Sequence, residues 1–218
     1  MPGAAALCCH ASAKAGAGLV TLATPDDAAL HTVPEVMIEL LPTQNGELSA
    51  DAYERLKTKF SWADAVAAGP GLGRSPQIDA LIGRLISDYP GTLVLDADAL
   101  NVLAEDVSVL KSRVGETVLT PHPGEFHRLS GRSKEEIRQN PISVAREFAG
   151  EFGVNLVLKG APSVVALPDG RVFINDAGNP GMATAGMGDV LTGIIAGLVP
   201  QCQSVEDAVL LGVFIHSH

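Results

Sequence analysis

The sequence predicts one α/β domain built on a mostly parallel sheet, with helices on both faces and an antiparallel hairpin at one edge. Three observations predict it. The 218 residues are 46% hydrophobic and 18% charged, enough apolar side chain for a full core and too much for a disordered chain. Short β-rich runs alternate with helical stretches, the pattern of βα units. Pro168-Asp169-Gly170 divides two apolar runs and reads as a hairpin turn.

In chain order, Ala4 to Ala15 reads as a helix stopped by Gly16 and Gly18 before the strand GLVTLAT. The runs ADAVAAG, TLVLDAD, ETVLTP and NLVLKG read as further strands, each apolar and bounded by Gly, Pro or polar residues. SPQIDALIGRLISDY and KEEIRQNPISVAREFAGEF read as helices between them, and SVVALPDGRVFIND as the hairpin. VLTGIIAGLV begins a buried helix, and VEDAVLLGVFIHSH reads as an amphipathic one that stops without a Gly, Asn or Pro terminator. Both ends look cut from something longer.

Composition narrows the function classes. Twenty-five acidic against 15 basic residues give a formal net charge of −10, and no Lys/Arg-rich segment stands against it. That excludes nucleic acid or an anionic membrane as the main partner. Cys8, Cys9 and Cys202 are an odd number without CxxC spacing and read as small hydrophobes in a reducing compartment. No secretory leader or spanning run is legible, so a cytoplasmic location is expected.

In an open α/β sheet, ligands bind at the carboxyl ends of the strands. Five such junctions stand out. GPGLGRS, residues 69 to 75, offers three glycines but lacks the ending of a phosphate-binding Walker loop. Asp96 and Asp98 follow TLVL; one reads as a cap of the next helix, the other stays open for a polar ligand or hydrated cation. PHPGE, residues 121 to 125, presents His122 and Glu125, with His122 open between a structural and a functional role. His127 reads as structural, and His10, His31, His216 and His218 form no metal-ligand spacing. Lys159 to Ser163 puts a cation and a hydroxyl on a glycine turn, suited to phosphate or ribose. The fifth junction is GNPGMATAGMGDVLTG, residues 178 to 193. Its glycines open an anion site at a helix N-terminus, and Asp189 within it is either a cap or a chemical group.

In that order and spacing, GPGLGRS, VLDADALN, LTPHPGEF, VLKGAPS and GNPGMATAGMGDVLTGIIAGL resemble the nucleotide-dependent NAD(P)H-hydrate dehydratases of the ribokinase-like superfamily. The resemblance spans essentially the whole chain and implies a ribokinase-like three-layer α/β/α sandwich. It also implies a metabolite-repair lyase: the 6-hydroxyl of the S-epimer of hydrated NADH or NADPH is phosphorylated from ADP or ATP with Mg²⁺, and phosphate is then eliminated. Carried over by position, Asp189 is the base, and Gly186, Met187 and Gly188 form the anion hole. Lys159, Gly160, Ala161, Pro162, Ser163 and Gly188 hold the adenine nucleotide. Ala17, Gly73, His122 and Asp189 hold the hydrated nicotinamide, and Glu125 holds Mg²⁺ through water.

The chain departs from the family pattern in three places. Ser163 stands where Thr is usual, and Met187 where Thr or Ser is common. Relatives carry an additional strand and glycine-rich turn ahead of the segment matched by residues 1 to 3, and they continue beyond His218. The resemblance therefore implies a single domain over residues 1 to 218 that lacks a first strand and the end of the last helix. It further implies homo-oligomeric association and an NAD(P)H-hydrate epimerase domain ahead of this one in the full-length protein. Two competing readings are a hydroxyethylthiazole or pyridoxal kinase type of enzyme, which would release a phosphorylated alcohol, and an inactive nucleotide-binding fragment.

Overall fold

A computed structural model of the chain describes residues 2–25 and 33–218; His31 lies outside them. The first helix, α1, runs from Pro2 to Lys14, slightly longer than its sequence pattern indicates, and leads to β1, Val20–Pro25. Next come β2, Val36–Leu41, and two short strands, β3 at Thr43–Gln44 and β4 at Glu47–Leu48. After α2, Ala52–Lys57, the βα units follow: β5 (Ala65–Ala68), α3 (Pro76–Asp88), β6 (Thr92–Leu95), α4 (Ala97–Leu103) and β7 (Thr117–Leu119). Three helices separate β7 from β8 (Asn155–Leu158): α5 at Pro123–Ser130, α6 at Lys134–Gln139 and α7 at Pro141–Phe152. The expected hairpin is β9, Ser163–Ala166, with β10, Val172–Asn175, and the chain closes with α8 at Met187–Leu198 and α9 at Val205–His216.

Six strands form the main sheet in the order β10-β9-β8-β7-β6-β5. β5 to β8 run parallel, and β9 and β10 are the antiparallel edge. Period-2 alternation divides the strand side chains between two cores. Leu93, Leu95, Leu119, Leu156 and Leu158 pack with Leu85, Leu100, Phe126 and Phe148 from α3, α4, α5 and α7. Val94, Val118, Val157 and Val165 face the other way, onto Leu191 and Ile195 of α8 and Val209 and Val213 of α9. Strands buried on both faces need uninterrupted apolar runs, which is why TLVL and NLVL carry no alternation of polarity. α1 lies against α8 through Ala11, Ile194 and Leu198.

Several details differ from the sequence reading. The single helix expected over 134–152 is two, because Pro141 lacks an N–H and turns Asn140 out of helical geometry, with φ −131° and ψ 49°. The last helix is apolar nearly all round rather than amphipathic: it buries Val205, Ala208, Val209 and Val213 and exposes Leu211, Phe214 and Ile215. Cys8 is buried as expected, whereas Cys9 and Cys202 are half-buried. The β3–β4 hairpin turns through Asn45-Gly46, both at positive φ, a strong two-residue turn signal absent from the sequence reading. β2 was also unforeseen. It pairs in parallel with β1 as a separate two-stranded sheet, and its buried Glu39 is clamped by Arg55 and Lys59. Among the described residues β1 pairs only with β2, β5 pairs only with β6, and no helix is long and apolar enough to cross a membrane.

Candidate active site

The loop ahead of α8 is built by its own polar groups. Asn179 Oδ1 accepts the Gly181 N–H at 2.9 Å and closes a helical turn over Pro180–Met182. Gly186 caps α8 in the left-handed region, at φ +94°, where a side chain would be strained. No side chain caps this helix, so the capping reading of Asp189 fails, and Asp189 stands in the first turn. The Met187 N–H donates to the Thr184 carbonyl at 3.3 Å. It is therefore not a free member of the anion hole assigned to Gly186, Met187 and Gly188. Gly188, at the second helical position, has no intrahelical acceptor for its N–H.

Beneath this turn lies a charged cluster. Asp96, whose side chain is 2% exposed, accepts from Lys159 Nζ at 2.7 Å and from the Thr192 hydroxyl at 2.9 Å. Lys159 Nζ also lies 3.8 Å from Glu125 Oε2. A Cβ added at Gly188 would stand 3.3 Å from Lys159 Nζ and 3.5 Å from Asp96 Oδ2, so the missing side chain is what lets backbone amide, ammonium and carboxylate converge. Burial and then the neighbouring Asp96 carboxylate push the Asp189 carboxyl above its usual range, with Lys159 opposing. A carboxylate so placed is a stronger proton acceptor than one in water.

Asp96 and Asp98 meet different partners, and Ala97 between them sits at φ +48°, a conformation costing an alanine about 1–2 kcal/mol. Neither aspartate caps α4 through its side chain, contrary to the capping role expected for one of them. Asp98 instead accepts the Gly73 N–H at 2.7 Å and fastens the glycine loop after β5. Gly69, at φ +122°, begins that loop with its backbone against the Asp96 carbonyl, where any side chain would collide.

His122 and Glu125 cap α5 reciprocally. His122 Nδ1 accepts from the Gly124 and Glu125 N–H groups, and Glu125 Oε2 accepts the His122 N–H at 2.8 Å. The cap leaves His122 Nε2 as the protonated nitrogen on a half-exposed ring. After β8, Lys159 N–H donates to the Pro121 carbonyl at 2.8 Å, tying the two loops together. Gly160, Ala161 and Pro162 are exposed, and the Ser163 hydroxyl donates to the Gly160 carbonyl at 2.9 Å. His127, expected in a helix, is in α5 and contacts the Arg132 carbonyl.

The structure thus gathers Gly73, His122, Glu125, Lys159 to Ser163, and Gly186 to Asp189 along one sheet edge. Ala17 does not join them. Gln201, past the far end of α8, donates to the Ala15 carbonyl at 2.9 Å, and at about 1.5 Å per residue that places Ala17 roughly 20 Å from Gly186. α1 meets the loop nearer its middle, with Leu7 against Gly186. Thr192 was missed, although it stands four residues after Gly188 and so on the same helix face. No group of three His, Cys, Asp or Glu among the described residues is placed to hold a metal ion.

Comparison with known proteins gives the family. The model of the NAD(P)H-hydrate dehydratase family matches residues 1–218. The bifunctional NAD(P)H-hydrate repair enzyme Nnr of Moorella thermoacetica is 46% identical over 220 residues, covering 99% of this chain and 42% of that relative. The ADP-dependent (S)-NAD(P)H-hydrate dehydratase of Neisseria meningitidis is 34% identical over 222 residues, covering 99% and 71%. The ADP/ATP-dependent NAD(P)H-hydrate dehydratase of Bacillus subtilis, co-crystallized with ATP/Mg²⁺ and soaked with CoA, superposes with a TM-score of 0.76 at 28% identity, covering 100% and 76%. This chain spans about two fifths of the length of the bifunctional relatives it matches.

Proposed function

Because this chain belongs to the NAD(P)H-hydrate dehydratase family, we propose that it dehydrates the S-epimer of hydrated NADH or NADPH at the expense of an adenine nucleotide. Asp189 takes the proton of the 6-hydroxyl, whose oxygen attacks the terminal phosphoryl group of the nucleotide. The new P–O bond forms as the bond to the shortened nucleotide breaks. Phosphate then leaves carbon 6 with its oxygen, a proton leaves carbon 5, and the ring double bond returns. The observation that carries this reading is the close approach of Lys159 Nζ and Asp96 Oδ2 to Gly188, the residue before Asp189, at the start of α8.

The Gly186 and Gly188 amides receive the transferred phosphoryl group, and Lys159 to Ser163 hold the nucleotide. Gly73 and His122 line the nicotinamide side, with α1 around Leu7 in place of Ala17. Glu125 is already bonded to the His122 N–H, which suits a hydrated Mg²⁺ carried on nucleotide phosphates rather than a protein cage. When bound there, Mg²⁺ neutralises charge on the transferring phosphoryl group. ADP is the donor we assign, by analogy with the ADP-dependent Neisseria relative. The residues from 1 to 218 act as one dehydratase domain in the cytoplasm, beside an epimerase domain and in a homo-oligomer.

The test supplies hydrated NADH, Mg²⁺ and either ADP or ATP and follows the return of nicotinamide absorbance. Wild type is expected to restore it with ADP, and Asp189→Asn to abolish it while nucleotide binding persists. A full-rate Asp189→Asn enzyme removes the base assignment. A stable phosphorylated alcohol as product selects a kinase instead.

A further inference from the structure

His216 on α9 reaches across to α8, where its Nε2 lies 2.8 Å from the Met187 carbonyl oxygen. A carbonyl has no hydrogen to give, so Nε2 carries the proton and donates. The peptide bond from Met187 to Gly188 is planar and trans, with a rotation barrier of about 18–20 kcal/mol. Within that plane the carbonyl and the following N–H point in opposite directions. Holding the Met187 oxygen therefore fixes the direction of the Gly188 N–H. We infer that His216 is a positioning residue, which orients the Gly188 amide for the phosphoryl group through this one peptide plane.

The Thr192 hydroxyl also lies 3.1 Å from the Gly188 carbonyl, but its one hydrogen is given to Asp96 at 2.9 Å. The His216 bond answers a specific need. Glycines flank Met187 on both sides, and glycine leaves peptide planes freer to rotate than any other residue. Burial holds the His216 imidazole below its usual range, with the bond to Met187 opposing and nearby Lys159 acting in the same sense as burial.

The inference rests on the dehydratase reading for its kinetic test only. His216→Phe keeps a ring and loses the donor. His216→Gln keeps an amide nitrogen near the Nε2 position, while the shorter His216→Asn amide falls short of Met187. Deleting a whole anion-hole donor costs about 10²–10³ in kcat. A misaligned donor is accordingly expected to cost about 10-fold or more in the Phe and Asn variants, with KM for ADP within about twofold. Gln is expected to recover most of kcat. The Gly188 amide resonance, titrated with inorganic phosphate, is expected to shift in wild type and Gln and to respond weakly in Phe and Asn.

If Phe does not fold, Asn against Gln decides. Full kcat in Asn, or a Gln variant as slow as Asn at equal melting temperature, overturns the inference. Wild type inert toward hydrated NADH defeats the functional reading instead; the phosphate titration then decides the role of His216 alone, and an equal Gly188 response in all variants overturns it.

Discussion

Replacing Lys159 with Met removes the only cation that pairs with Asp96 among the contacts described above. The carboxylate is 2% exposed and sits 2.7 Å from the ammonium; its other hydrogen bond comes from the Thr192 hydroxyl. Breaking a buried ion pair by deleting one partner costs about 3–5 kcal/mol, because the survivor remains buried without compensation. The Lys159 side chain is 22% exposed, so water can approach that position and the lower end, about 3 kcal/mol, is the expected loss. At about 2–4 °C per kcal/mol for a chain of this size, the melting temperature should fall by about 6–12 °C. Urea unfolding and calorimetry read the loss directly. Adding Asp96→Asn in the same chain removes the stranded charge, and the double variant should regain most of it. A single variant that loses less than about 1 kcal/mol, or a double variant no more stable than Lys159→Met, would refute the reasoning.

Two further outcomes follow from the geometry. Gly193→Ala places a methyl on the Cys8 carbonyl and 2.9 Å from Ala11 Cβ. The overpacking costs about 1–3 kcal/mol, which exceeds the roughly 1 kcal/mol of helix propensity gained, so the melting temperature should drop and α1 become sensitive to limited proteolysis; an unchanged melt contradicts this. Asp189→Asn should melt above wild type at pH 7. The folded-state carboxyl is raised above its ordinary value, so folding favours the protonated form and wild-type stability declines as pH climbs through that window. The gap between variant and wild type should close as pH falls below the ordinary aspartate range, and an Asn variant that melts lower at pH 7 refutes the sign.

The strand ends were legible because parallel strands need unbroken apolar runs, and TLVL and NLVL cannot be read otherwise. The glycine loop before α8 was legible for the same kind of reason: few residues but glycine open a helix N-terminus to an anion. What the sequence hid is which way neighbouring side chains turn. Asp96 and Asp98 are two residues apart in a VLDAD run, yet with a left-handed Ala97 between them one meets Lys159 and the other Gly73. His216 showed no metal-ligand spacing and nothing more, because its partner is a backbone oxygen 29 positions away, and no residue type announces that. The 134–152 helix could have been divided from the sequence, since Asn140-Pro141 is a helix boundary on steric grounds alone.

Ala97 also joins what the chemistry keeps apart. On one side of it Asp96 grips the lysine of the proposed nucleotide pocket; on the other Asp98 grips the loop of the proposed nicotinamide pocket. One strained residue is the entire spacer. Replacing Ala97 with Gly would therefore relax the strain without removing either carboxylate, and it would loosen both loops from one position rather than one loop alone.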